Sequence, residues 1–557
     1  MALTTHSGSP PPGAADRGAW SALAAALGLG LLVRLMRIGV REAWLDEACT
    51  ALFAGSSDLG TLIESLRLDS NPPLYYILMY GWTTLFGTGE AALRFPSLIG
   101  GLALIVLLFM GVRELNGGRL AAGLAAGLGA LSPLLVYYSV EARAYTLLWT
   151  LATGVWLLLT RVTAPPEPEQ RRSGCGLWAG ALLLHTMALY THHFALLLLP
   201  LWPLALLATR GRRRYAGLAA LALLLLAYAP WAVLFLEAQA NIIGIDWLIR
   251  HWEGIGAALL GSGRVMSLMP PFPVYLGELG LVTLGLAATV AVGFLFAAPV
   301  AVGLIRVIRG GPRAESIWRR ALLPAALLLP PLGLAVLSSW RPIYLIGRYE
   351  LLAYPAWIML WALGVESVAK RLRALEVPGR RRLGATFEAA LVALTLCGVA
   401  LPLTPYLLSV SGPWPHRAAA EHLVAVDETA QEAREEVAVV ALGLVRAPLE
   451  YQLRRLSPPR TWLALRSYPP DVADHKGWFE PKRYTPEELA RSATELVADL
   501  ESKDQIWLAL PLAPNGTPAH VEIIMPLVDA LLSAGHRQRE TISLGRLGLA
   551  LFRPLDS

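Results

Sequence analysis

Residues 19–50 read AWSALAAALGLGLLVRLMRIGVREAWLDEACT, an apolar run that ends in two adjacent carboxylates, Asp46 and Glu47. A membrane span needs roughly 20 mostly apolar residues, and this run supplies them between about residues 19 and 38. The chain then stays polar and reaches DSNPPLYYILMYGW at residues 69–82, with Asp69, Asn71, Pro72 and Pro73 ahead of a string of aromatics. Acidic residues where a membrane helix meets water cost desolvation energy and mark substrate or ion sites. Trp44 precedes these acids, and Tyr75, Tyr76, Tyr80, Trp82 and Phe86 follow in an amphipathic pattern. The expectation is a carboxylate held at the membrane surface under a lipid-facing lid.

Outward from this stretch, the composition is that of a membrane protein. Hydrophobic residues make up 55% and charged residues 16% of the 557 residues, and the mean hydropathy is +0.51. Soluble globular domains carry about 25% charged residues. Apolar runs recur at about 19–38, 93–113, 119–139, 143–162, 175–191, 193–209, 216–236, 276–306, 321–340, 349–368 and 386–408, roughly eleven spans. The loops after alternate spans hold Arg113 and Arg119; Arg161, Arg171 and Arg172; Arg210 and Arg212 to Arg214; Arg306, Arg309, Arg313, Arg319 and Arg320; and Lys370, Arg371, Arg373 and Arg380 to Arg382. The positive-inside rule then places the N-terminus in the cytoplasm and the C-terminus outside, in a multi-pass protein of the cell membrane. The net charge of +6 describes this orientation. It does not describe a nucleic-acid partner, because the basic residues form no single face.

Residues 1–18 are rich in Pro and Gly and are expected to be a disordered cytoplasmic N-terminus, with 19–408 the transmembrane domain. The first span reads as an uncleaved anchor. Cys49, Cys175 and Cys397 are too scattered for a disulfide framework or a metal cluster and read as small apolar fillers. Beyond residue 409 charges of both signs become frequent. Val437–Leu444 and Gln505–Leu512 read as buried strands, Ala447–Arg455, Pro486–Glu501 and Val521–Gly535 as amphipathic helices, and Leu544–Phe552 as a closing strand. The expected fold is therefore an α-helical polytopic membrane domain with a small extracytoplasmic α/β domain over 409–557.

On that topology four polar groups share the external face. Asp46, Glu47 and Asp69 lie in the first external loop, and Glu141-Ala142-Arg143 in a tight turn between the third and fourth spans. His192 and His193 lie between the fifth and sixth, and Arg341 and Arg348-Tyr349 lead into the tenth. Helix-end ion pairs account for any one of these; their convergence on one boundary points to a site.

The strings WLDEA, DSNPPLYYILMYGWTTLFGTGEAALRFPS, LSPLLVYYSVEARAYTLL, LYTHHFALLLLP and GRYELLAYP resemble, in this order, the GT-C membrane glycosyltransferases. The likeness is to the family-39-like proteins, which include protein O-mannosyltransferases and the aminoarabinose transferases of lipid A. It covers residues 30 to about 365. It implies transfer of a sugar from a polyprenyl-phosphate donor to a lipid, glycan or protein acceptor on the non-cytoplasmic face. It also sets Asp46 at the family's catalytic aspartate and Asp69 and His192 in regions where some relatives bind a divalent metal ion, the candidate cofactor.

The chemistry suits the residues. An inverting displacement needs a base at the acceptor hydroxyl, and Asp46 is the candidate, with Glu47 and Glu141 orienting. The departing phosphate needs cations, and arginine binds phosphate bidentately. Arg143, Arg348 and Arg341 are the candidates, beside Tyr349, with Arg34 and Arg37 in reserve or simply snorkelling to the interface. Residues 237–275, with Trp247, Trp252 and Arg264, form a second long external loop suited to closing over a donor. The alternative is a transporter or flippase of lipid-linked sugars, which predicts two related halves with helices broken near the midplane. Neither feature is visible in the sequence.

Overall fold

The computed structural model describes residues 12–66, 71–164, 173–238, 252–268, 286–309, 316–374, short stretches between 386 and 408, 415–456, 464–470, 484–513 and 515–555. Asp69, Trp247 and the Arg264 side chain lie outside the described parts. The chain divides into two compact units. One comprises Met1–Arg37, Ser97–Ala232 and Leu248–Ser409, and the other Ile38–Pro96, Val233–Trp247 and Val410–Ser557. The domain boundary expected at residue 409 is thus incomplete, because the first polar loop groups with the C-terminal residues.

Among the described residues six helices are long and apolar enough to cross a membrane: Arg17–Leu35, Glu90–Glu114, Tyr145–Val162, Arg212–Leu234, Ile317–Ser338 and Glu350–Ala374. A seventh candidate is the pair Arg119–Leu131 and Pro133–Ser139, bent by 53°. Most of the expected 386–408 span and the start of the 276–306 run lie outside the described residues. The first helix begins at Pro12, inside the segment expected to be disordered. The span expected at 193–209 is a 3-10 turn, His193–Leu198, followed by a short helix, Leu201–Ala208. Pro200 and Pro203 account for the break, since neither supplies the N–H that a continuous helix requires.

The bend at Ser132 shows how a broken helix is satisfied inside an apolar unit. Pro133 cannot donate to the preceding turn, so carbonyls at the end of Arg119–Leu131 need other donors. Arg34 supplies them: its Nη1 donates to Ala130 O at 2.9 Å and Gly30 O at 3.0 Å, and its Nη2 to Gly129 O at 3.0 Å. Ser132 Oγ lies 2.9 Å from the Tyr354 hydroxyl. Arg34 is fully buried and does not snorkel. Arg37 is also buried, with its guanidinium 4.8 Å from the Tyr406 ring centroid.

Helices Leu286–Arg309 and Tyr354–Ala374 cross backbone to backbone. A Cβ on Gly303 would overlap the Leu360 carbonyl, and one on Gly364 would overlap the Pro299 carbonyl. Close approach through small residues is how apolar helices gain packing where lipid removes the hydrophobic drive.

In the second unit a five-stranded sheet runs in the order β2-β1-β3-β5-β4. The strands are β1 (Val437–Leu442), β2 (Ala464–Tyr468), β3 (Gln505–Pro511), β4 (His536–Leu544) and β5 (Leu547–Pro554). β1 pairs parallel with β2 and β3, while β5 pairs antiparallel with β3 and β4. Ala438, Val440 and Leu442 of β1 pack on one face with Leu489, Ala493, Leu527 and Leu531 from helices Pro486–Asp499 and Val521–Ser533. Val437, Val439 and Ala441 face Ala419, Leu423, Leu449 and Leu453 from helices His416–Ala433 and Arg446–Leu456. A parallel strand buried on both faces reads as a continuous apolar run, as VAVVAL does. β4 is a polar edge strand, HRQRETISL, mostly exposed; charges on an edge discourage pairing with other chains.

The glycine crossing yields a prediction. Gly364→Val forces two backbones apart that have no side chain to yield, at the upper end of the about 1–3 kcal/mol that overpacking costs. The purified variant is expected to lose thermal stability in detergent, with Gly364→Ala intermediate. An unchanged melting temperature for the valine variant would contradict the crossing.

Candidate active site

Each unit carries candidate residues of its own. In the second unit the carboxylate helix Leu45–Ala54 starts after Trp44. Asp46 occupies its first turn, where the helix dipole favours an anion, and is 7% exposed. Glu47 is fully buried and already engaged. Its Oε1 accepts from Arg94 Nε at 2.7 Å, and its Oε2 from Arg94 Nη2 at 2.8 Å and the Trp44 N–H at 3.4 Å. Glu47 therefore caps its helix and holds an arginine.

Arg94 is the residue that sequence reasoning passed over. It is 1% exposed. Besides Glu47 it donates from Nη1 to the carbonyls of Ile38 at 2.9 Å and Arg41 at 2.8 Å, and from Nη2 to Glu42 O at 3.2 Å. One guanidinium thus ties residues 38–47 into a fixed path. Its signal was present in the string ALRFPS, where an arginine interrupts an apolar helix.

Glu90, at the start of helix Glu90–Glu114, is tied to helices His416–Ala433 and Arg446–Leu456. It accepts from Arg417 Nη2 at 2.7 Å and Gln452 Nε2 at 3.3 Å, and pairs with Arg455. The Tyr451 hydroxyl donates to Thr88 O at 2.8 Å, and the Arg417 N–H to Glu42 at 3.0 Å. Burial pushes the Glu42 carboxyl up, with Arg417 opposing that shift. The aromatic helix Leu74–Phe86 closes the other side of this loop. Phe53 and Tyr76 meet edge to face at 5.4 Å, while Leu78, Leu85 and Phe86 stay exposed, as an interfacial helix requires.

In the first unit, the Glu141–Arg143 turn is closed by the Arg143 N–H on Glu141 O at 2.8 Å and pinned by Ser97 Oγ on Arg143 O at 3.2 Å. Glu141 is 1% exposed and close enough to Tyr138 to act on it electrostatically. The Tyr138 hydroxyl donates to Gly347 O at 2.7 Å, and the Arg348 guanidinium sits 5.6 Å from the Tyr145 ring centroid. Glu350 braces the Arg348 turn from below. It accepts from the Gly347 N–H at 2.5 Å, the Arg348 N–H at 3.2 Å and Ser262 Oγ at 3.0 Å.

His192 lies in a turn outside the spans, its ring 5.8 Å from Tyr349. Burial, then the charges of His193, Arg143 and Arg348, push its pKa down to about 3. The structure thus gathers Arg143, Arg348, Tyr349 and His192. Arg341 is exposed beyond the end of helix Ile317–Ser338. The reserve arginines Arg34 and Arg37 are used internally. His192 Nδ1 accepts from the Phe194 N–H at 3.2 Å, which leaves Nε2 as the nitrogen suited to a metal. Among the described residues no group of three or more His, Cys, Asp or Glu gathers around such an ion, and Asp69 lies outside them. No step below depends on a metal.

The chain is similar to several known proteins. Residues 70–234 match the family model described as dolichyl-phosphate-mannose-protein mannosyltransferase. None of the curated proteins matches the sequence significantly. ArnT from Cupriavidus metallidurans bound to undecaprenyl phosphate is similar in structure, with a TM-score of 0.55, 15% identity, and coverage of 97% of this chain and 98% of that one. Archaeal oligosaccharyltransferase AglB from Archaeoglobus fulgidus, in complex with an inhibitory peptide and a dolichol-phosphate, gives 0.55 at 14% identity, covering 95% and 74%. The arabinofuranosyltransferase AftD from Mycobacteria gives 0.54 at 20% identity, covering 95% of this chain and 41% of that one. The fold is that of the GT-C membrane glycosyltransferases, a multi-pass membrane architecture with a small C-terminal sheet region.

The Arg94 arrangement makes a prediction. Arg94→Met leaves the buried Glu47 with the more distant Arg41, at 3.5 Å, in place of the close bidentate fork, and losing one partner of comparable buried pairs costs about 3–5 kcal/mol. Thermal unfolding in detergent is expected to shift down strongly, and proteolysis within residues 38–47 to speed up. Arg94→Lys falls between, because a lysine cannot reproduce the bidentate fork. Wild-type melting in Arg94→Met would show that the pair does not hold the loop.

Proposed function

We propose that the protein transfers a sugar from a polyprenyl-phosphate donor to an acceptor hydroxyl of a lipid, glycan or protein, on the extracytoplasmic face of the cell membrane, with inversion at the anomeric carbon. The observation that carries this reading is the pair Arg143 and Arg348, both close enough to His192 to act on it electrostatically. Its two turns are braced by Ser97, Tyr138 and Glu350. Fixed guanidiniums with their backbone held suit a leaving phosphate better than a mobile ion pair does. The lipid phosphates bound in the ArnT and AglB structures support a donor of that class.

In the proposed step the acceptor oxygen attacks the anomeric carbon, and the bond from that carbon to the phosphate oxygen breaks. Asp46 takes the acceptor proton, and the electron pair leaves with the polyprenyl phosphate, whose charge Arg143 and Arg348 receive. Glu141 orients the Arg143 turn, and Tyr349 packs beside His192. Glu47 keeps Asp46 in the first turn of its helix. The basic loops put the N-terminus in the cytoplasm and the sheet domain outside.

Two substitutions test this. Asp46→Asn is expected to lower sugar transfer by about 10²- to 10⁴-fold, the range of a positioned general base, while binding of the lipid donor persists. Arg143→Lys keeps the charge and loses the fork, so donor turnover falls and membrane insertion stays normal. Unchanged transfer in both variants would overturn the reading. Movement of the lipid-linked sugar across the bilayer without any transfer product, in wild type and Asp46→Asn alike, would favour a flippase.

A further inference from the structure

A cavity of about 560 Å³ opens in the first unit, between helices Arg119–Leu131 and Tyr354–Ala374, and plays no part in the site above. The helix Arg119–Leu131 and its bent continuation separate it from the Glu141–Arg143 turn: Arg119 begins that pair, and the turn follows its other end. The lining contains three cations, Arg119, Lys370 and Arg373, and one carboxylate, Glu366. The carboxylate is already answered. Its Oε2 accepts from Arg306 Nη1 at 2.9 Å and Lys370 Nζ at 3.1 Å, so the lining keeps a surplus of positive charge.

Below the cations the wall is apolar. Gly123, Leu124, Gly127 and Leu128 line it from one helix, at the spacing that puts residues on a single face. That face extends over two turns, about 13 Å from Arg119 to Leu128 at 1.5 Å per residue. A free phosphate or a nucleotide would leave this wall uncovered, and a zwitterionic lipid would bring its own cation to a basic mouth. An anion with a long apolar tail satisfies both parts. The basic loops that set the orientation also place this mouth in the leaflet where anionic phospholipids gather.

We propose that the cavity binds an anionic glycerophospholipid, with its phosphate at Arg119, Lys370 and Arg373 and an acyl chain along Gly123 and Gly127. The site lies apart from sugar transfer, so its test needs no activity measurement. The full chain, delipidated in detergent, is offered phosphatidylglycerol and phosphatidylcholine of matched chains and read by native mass spectrometry. The expected result is a preference of at least about tenfold for phosphatidylglycerol, since each basic side chain near a lipid phosphate is worth roughly fivefold. The triple variant Arg119→Gln, Lys370→Gln, Arg373→Gln loses that preference.

A second variant guards against misfolding of the first. A Cβ on Gly127 meets nothing within 4 Å, so Gly127→Leu starts into open space along the slot and is expected to weaken retention with all three cations in place. Equal retention of both lipids by wild type would overturn the proposal, and so would undiminished phosphatidylglycerol in both variants. Displacement of phosphatidylglycerol by an equal amount of a polyprenyl phosphate would overturn it too, by showing a second donor-lipid site.

Discussion

The buried pair between Glu47 and Arg94 is the constraint on which the carboxylate loop depends. Two charges removed from water repay their desolvation only with close geometry and every remaining lone pair and proton satisfied. Here both carboxylate oxygens meet the arginine fork, and the other N–H groups of that fork are spent on the carbonyls of Ile38, Arg41 and Glu42. The pair thus fixes the path of the chain into the helix that carries Asp46. Glu47 is consumed in this way, so on the proposed reading the two adjacent acids divide their roles, Glu47 holding the backbone and Asp46 serving as the base.

The same division recurs elsewhere. Glu90 is buried and spends its carboxylate on Arg417, Gln452 and Arg455, which ties the start of helix Glu90–Glu114 to helices His416–Ala433 and Arg446–Leu456. Glu350 spends its own on the turn that presents Arg348. In each case a buried acid organises backbone or guanidinium groups next to a candidate functional residue. Positioning of this kind accounts for much of what an active site needs, since a reacting group misplaced by about 1 Å can cost 10²-fold in rate.

Much of this was legible in the sequence, and the remainder was hidden for identifiable reasons. The spans near 19–35, 90–114 and 145–162 followed from runs of apolar residues, and β1, β3 and β5 from VAVVAL, QIWLALP and LGLALFRP. β4 went unread because its first six residues, HRQRET, carry no apolar alternation, and only Ile542 and Leu544 near its end pack on the core. The role of Arg34 was hidden because an arginine near a helix end looks the same whether it snorkels or caps a neighbour's carbonyls. Arg94 and Glu90 were obscure for a further reason. Their partners lie 47 residues away for Arg94 and 327 or more for Glu90, and no periodicity reports a contact of that range. The grouping of residues 38–96 with the C-terminal sheet was unreadable for the same cause. The cluster around His192 was visible only as residues that fall on one side of the membrane.

The account rests on a single displacement at a lipid-linked sugar, and the anomeric configuration of the product tests it most directly. The full chain in lipid nanodiscs would be supplied with a polyprenyl-phosphate sugar of known configuration and an acceptor, and the product read by NMR. One displacement with Asp46 as base predicts the opposite anomer from the donor, with release of polyprenyl phosphate. A product that keeps the donor's configuration would require two displacements and would contradict the account.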